Sequence, residues 1–161
     1  MGAGFDSVSY VLQTLTVPID VTATIAIERP VEEVAAWVMD PANDLAWIRA
    51  LTDSHRLGDA TVGPGLRVSR TAKMMGRPMT YVTEVAEYAP TRMVMKTVEG
   101  PFPMVVTYEF APVGAAASTV SVRNQGGSGL MFRLLSKPMG WMVNSRVRGD
   151  LKQMKRVLER A

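Results

Sequence analysis

The chain contains no cysteine and a single histidine. Without cysteine there are no disulfides, no thiolate metal sites and no thiol nucleophile, which fits a reducing compartment. His55 has no second histidine to ligate with, so no metal and no cofactor are expected. A soft copper site built from methionines is also disfavoured, because strand alternation turns Met74 and Met75 to opposite faces. No apolar run approaches the roughly 20 residues that span a bilayer. The first residues, MGAGFDSVSY, lack the basic start and apolar block of a secretory signal, and Asp6 stands where a myristoylation signal wants Ser or Thr. A soluble, cytoplasmic protein is expected. There is no Gly-x-Ser-x-Gly elbow, and Gly126-Gly127-Ser128-Gly129 lacks the Lys-Ser/Thr ending of a phosphate loop, so it reads as a hinge.

What is present is ordinary in bulk: 161 residues, 47% hydrophobic and 20% charged, suited to one domain with a substantial core. The net charge of +3 is uneven. From Arg133 onward eight Lys or Arg face only Asp150 and Glu159, a balance of +6 that leaves −3 for residues 1–132. These cations are spread along a helical pattern without interleaved aromatics. The solvated face of a helix explains them better than a nucleic-acid surface, and no nucleic-acid partner is expected. Weak contact of the basic C-terminal helix with an anionic membrane is an alternative. The oligomeric state is left open.

Residues 1–17 form an N-terminal extension with no assignable element. From Ile19 to Ile27 the chain alternates as a half-buried strand. Pro30 opens a helix whose Glu32 and Glu33 suit its N-terminal end, and Asp40-Pro41 closes it. Asn43 or Asp44 is expected to cap a second short helix carrying Leu45, Trp47, Ile48 and Leu51. Thr52 to His55 reads as a turn or the start of a strand. Strands then follow at turn signals spaced for one antiparallel meander. They cover Leu66–Met74, Met79–Tyr88, Arg92–Glu99, Phe102–Phe110 and Val120–Asn124, with turns at Gly76-Arg77-Pro78, Ala89-Pro90, Gly100-Pro101 and Pro112 to Ala116. Leu130–Ser136 reads as a short helical piece interrupted by Pro138, which starts the long final helix. Val143, Val147, Leu151, Met154 and Leu158 form one apolar stripe on it.

A one-sided helix buries its stripe on the apolar face of a sheet. In this order and spacing, "ERPVEEVAAWVMDPANDLAW", "TEVAEYAPTRM" and "GDLKQMKRVLE" resemble the START-like (SRPBCC) superfamily, in its polyketide cyclase/dehydrase and lipid-transport branch. The resemblance spans about residues 19–160. It departs from the family pattern at Met154, where the ending usually has Leu. It implies an α+β helix-grip fold: a curved seven-stranded antiparallel sheet wrapped around a long C-terminal helix, with two short helices after strand 1. A single START-like domain would then cover residues 18–161. The function implied is binding or carrying a hydrophobic small molecule (lipid, polyketide or isoprenoid-like) in a cavity between sheet and helix. The alternatives are a polyketide aromatase/cyclase-type enzyme, or a chaperone-activator-like or membrane-surface module.

Arg70 is the sharpest individual signal. By alternation it shares a face with Leu66, Val68, Ala72 and Met74, where an unpaired charge is costly. Either it anchors a ligand oxygen in the cavity, or it pairs with an internal Glu or reaches water at a sheet edge. Tyr108 and Asn124 fall on the same inferred inner face and join Arg70 as the candidate catalytic set of an enzyme. Candidate ligand contacts are Trp37, Trp47, Val68, Arg70, Met74, Tyr81, Met104, Tyr108, Phe110, Asn124, Met139, Met142 and Val143. Trp141 is a further candidate for the mouth, although each tryptophan is more readily explained by core packing. Glu84 and Glu109 alternate to the wet face.

Overall fold

The strict alternation of Ile19–Ile27 places Ile19, Ala23 and Ile27 inside and Asp20, Thr22 and Thr24 in water, and this stretch forms strand β1. The computed structural model describes residues 19–126 and 130–161. The extension expected over residues 1–17 lies outside them, as do residues 127–129 of the expected hinge, whose Gly126 is strand. Helix α1 (Val31–Met39) follows β1, then a 3-10 turn (Pro41–Asn43) and the single-turn helix α2 (Asp44–Trp47). Strands β2 (Leu51–Leu57), β3 (Arg67–Met74), β4 (Arg77–Ala89), β5 (Arg92–Glu99), β6 (Met104–Val113) and β7 (Ala117–Gly126) come next. Helix α3 (Leu130–Arg160) closes the described chain. All seven strands form one antiparallel sheet in the order β1-β7-β6-β5-β4-β3-β2. This is the expected helix-grip arrangement.

The core lies between the inner face of the sheet and the helices. Ile27, Val34, Val38, Leu66, Val68, Val120, Leu151 and Met154 are almost fully excluded from water. The ladder between β4 and β5 slips twice, skipping Val98 between the pairs Val82–Glu99 and Thr83–Thr97, and Ala86 between Val85–Met95 and Glu87–Val94. Such bulges raise the local twist and bend a sheet.

The two ends of the sheet differ. At one end α3 finishes against the link from β1 to α1. Arg29 donates to the carbonyls of Leu158 and Ala161, Lys155 donates to the carbonyl of Ala26, and the Glu28 amide donates to Glu159. At the other end are the start of β1, the β3–β4 hairpin, the β5–β6 loop and the end of β7, near where α3 begins.

Several sequence expectations change. The second helix ends at Trp47, and Leu51 opens β2 instead, buried as a strand residue. Neither Asn43 nor Asp44 caps it with a side-chain bond. Thr52 to His55 is strand, with His55 bonded to Asp53. Pro138 lies inside one continuous α3; a proline removes a single backbone donor, which a 31-residue helix tolerates. The β3–β4 turn is Met75-Gly76, not Gly76-Arg77-Pro78, because Met74 pairs with Arg77 and Lys73 with Pro78. The strand expected from Phe102 begins at Met104, and Pro112 belongs to β6, paired with Ser118.

Candidate functional site

Arg70 sits mid-way along β3, directly opposite Ser54 of β2 and Tyr81 of β4. Paired residues on adjacent strands point to the same face, so all three project inward. Only 5% of Arg70 is exposed. Its partner is Asp44, the first residue of α2, with Nε donating to Oδ2 at 2.7 Å. Ser54 Oγ donates to the same carboxylate oxygen at 2.8 Å, and Arg70 Nη1 donates to Thr83 Oγ1 at 2.5 Å. The acidic partner is therefore Asp44 rather than the glutamate expected, and the residue suited to capping a helix is spent on an ion pair.

That pairing does not exhaust the guanidinium. Among the described residues the only partner of Nη2 is the Met95 sulfur, 4.0 Å away, and a thioether is a weak acceptor. Two more buried donors, Trp47 Nε1 and Asn124 Nδ2, have no hydrogen-bond partner among the described residues. Trp47 meets the Tyr108 ring edge-on, with centroids 6.1 Å apart. Asn124 lies between Val21 and Val106 on the inner face. Donors without acceptors on an apolar face are costly unless something supplies oxygen.

Burial sets the protonation of the site. It raises the Tyr81 phenol above its ordinary value and the Tyr108 phenol well above it, so both remain O–H groups across the neutral range. The charges of Arg70 and Asp44 act on both rings, which places all four groups in one electrostatic cluster. Burial also raises the Asp44 carboxyl, with Arg70 and Ser54 pulling it back. Burial opposes the Arg70 charge too and is the largest single influence on it, but Asp44 together with the two tyrosines more than offsets it, so the guanidinium stays protonated.

The structure thus gathers Trp47, Arg70, Tyr81 and Tyr108 around Asp44. Val68 and Phe110 belong to the core, and Trp37 packs against it half-buried. Met74, Met104, Met139, Met142 and Val143 are half-buried, and Trp141 is exposed. Glu84 and Glu109 pair on the outer face with Arg67 and Arg92. Sequence reasoning missed Asp44, Ser54 and Thr83. The available signal was Arg70 itself, since a buried guanidinium needs a carboxylate and α2 carries one.

The described depressions lie elsewhere. One of about 770 Å³ is on the outer face, lined by Asp20, Arg92, Thr107, Glu109, Arg123 and neighbours. Its charges are already matched, Asp20 with Arg123 and Arg92 with Glu87 and Glu109. It shares no residue with the Arg70 cluster. No helix among the described residues is long and apolar enough to cross a membrane.

The fold has counterparts among solved structures. The ZhuI aromatase/cyclase of Streptomyces sp. R1128 superposes with a TM-score of 0.73 at 13% identity, covering 88% of this chain and 93% of that one. TTHA0849 of Thermus thermophilus gives 0.69 at 20% identity, covering 85% and 94%. A START superfamily protein of Mycobacterium smegmatis gives 0.65 at 16% identity, covering 87% and 94%. At such identities the likeness concerns the fold alone. No curated protein matches the chain. Residues 18–159 match the family described as polyketide cyclase/dehydrase and lipid transport, and the chain belongs to that family.

Proposed function

We propose that the chain holds an apolar small molecule bearing carbonyl or enolate oxygens, of lipid, polyketide or isoprenoid type, between the inner face of the sheet and α3. The observation that carries this reading is the set of under-satisfied buried donors, Arg70 Nη2 and Asn124 Nδ2 on the inner face of the sheet and Trp47 Nε1 on α2. Ligand oxygens would satisfy them, while Met74, Met104, Met139 and Met142 would form an adaptable apolar wall. Asp44, Ser54 and Thr83 would keep the guanidinium pointing at the ligand. Trp37, Val68, Phe110 and Val143 would support the wall.

The test compares anthraquinone with anthracene, which differ in two carbonyl oxygens, by quenching of tryptophan fluorescence. The quinone is expected to bind more tightly, and Asn124→Leu to reduce that preference about five-fold, the worth of one hydrogen bond. Equal affinity for both probes, or binding of neither, refutes the reading. The nearness of both phenols to Arg70 supports a second reading, an aromatase/cyclase in which an α-carbon attacks a carbonyl polarised by Arg70; the carbon–carbon bond forms as the carbonyl oxygen takes the proton of Tyr81 or Tyr108, and the phenolate recovers a proton from the α-carbon that gives one up. Cyclised product from a poly-β-ketone, lost in Tyr108→Phe, would establish it; binding without turnover would leave a carrier.

A further inference from the structure

We propose that the β3–β4 hairpin and the 137–145 stretch of α3 together form a docking surface for an anionic lipid bilayer. The hairpin projects from the sheet. On its β5 side Val82 pairs with Glu99, the last residue of that strand, so residues 77–81 run past it. On its β2 side the last tie is the Lys73 amide, which donates to the Ala50 carbonyl beside Leu51, so Met74 and the turn run past it as well. At the tip Met75 has φ +51° and Gly76 φ +77°. Two positive φ values in a two-residue turn suit Asn-Gly, and an unbranched apolar residue is uncommon there. Met75 is nonetheless 91% exposed. A strained apolar residue standing in water gains nothing from the fold itself.

Charge identifies the partner. Lys73 and Arg77 flank the tip, exposed and without a side-chain partner among the described residues. A second element presents the same pairing of character at the same end. Trp141 is 74% exposed on α3, one residue from Gly140, where a Cβ would just reach the Val21 side chain near the start of β1. Lys137, one turn earlier, is exposed and unpaired among the described residues. Of the acids at this end, Asp20 is matched by Arg123 and only Glu99 stands free among the described residues. Two separate apolar points with cations around them suit a flat, negatively charged partner better than a groove. Tryptophan favours the headgroup level of a bilayer, and Lys and Arg are drawn to anionic lipid. Lys155, in the second half of α3, is not part of this surface: it is engaged by Ala26 and Glu159 at the opposite end.

The proposal does not depend on the ligand reading and is tested on the purified chain alone. Co-sedimentation is measured with phosphatidylcholine vesicles and with vesicles containing about 25% phosphatidylserine. The expected result is binding to the anionic vesicles only, weakened by salt. Lys73→Ala/Arg77→Ala should reduce it about thirty-fold, from the contribution of two cations. Met75→Asn suits the turn and so keeps the fold; it should weaken binding while the melting temperature holds or rises. Trp37 and Trp47 are already wholly or partly buried, so a vesicle-induced blue shift should report Trp141 and vanish in Trp141→Phe. Absence of binding at low salt overturns the proposal, as does binding that neither hairpin variant weakens.

Discussion

The two halves of α3 carry one continuous apolar stripe yet behave as different elements. In residues 149–160, Leu151, Met154 and Leu158 are buried, and the end of the helix is tied to Ala26, Glu28 and Arg29. In residues 137–148 no side chain is buried; Met139, Met142, Val143 and Val147 are half-covered and Trp141 stands out. The joint falls at Gly149 and Asp150. Asp150 accepts from the backbone and guanidinium of Arg49, and a Cβ at Gly149 would collide with that guanidinium. Amphipathic spacing therefore identifies which face of a helix turns inward, but not how much of that face meets packed atoms.

Substitutions along the stripe test this contrast most strongly. Met154→Ala, in the packed half, should cost about 2–5 kcal/mol in denaturant unfolding. Met142→Ala, in the half-covered stretch, should cost under about 1 kcal/mol, as expected for a side chain whose removal leaves no sealed cavity. Equal costs would break the comparison. The next effect concerns the phenols. Folding raises Tyr108 above its ordinary value of 10.0, so the neutral form is favoured by the native state. That contribution is complete below pH 10 and is lost as pH rises toward the folded-state value. Ultraviolet titration should show phenolate appearing at the ordinary range for part of the tyrosine complement only, and Tyr108→Phe should flatten the alkaline loss of stability. The smallest effect is expected on the outer face. Asp20→Asn removes an exposed pair with Arg123 and should change stability by about 0–1 kcal/mol. A larger loss would mean that the outer face matters more than its matched surface charges suggest.

The topology was legible because alternation and turn residues repeat at regular intervals, as in Ile19–Ile27 and in Val120, Val122 and Asn124. Arg70 was legible for the same reason, since its parity within β3 sets it inward. Its partner was not. Asp44 lies 26 residues away, in a position where capping a helix accounts for an Asp equally well, and only the docking of α2 against β2 and β3 brings the two together. The hairpin turn was misplaced because Gly-Arg-Pro is a strong turn signal, whereas Pro78 is tolerated within β4 on the projecting part of the strand. The length of α2 was overestimated because Leu51 continues the helical spacing, and strand pairing with Ala72 overrides that preference.

The bulge at Ala86 has a consequence for how such a protein diversifies. The inward residues of β2, β3 and β4 bring Ser54, Arg70, Tyr81 and Thr83, and those of β5, β6 and β7 bring Met95, Tyr108 and Asn124. The two sets are held in register by the pairs Thr83–Thr97 and Val85–Met95, the stretch of the β4–β5 ladder between the two skipped residues. A one-residue slip in a ladder turns side chains to the opposite face. Loss of a skipped residue would act beyond that stretch, on the side chains around Tyr88 or Glu99, and would leave the alignment of the two sets in place. For this chain, insertion and deletion at the bulges are a way to reshape the ends of the β4–β5 ladder without disturbing the cluster.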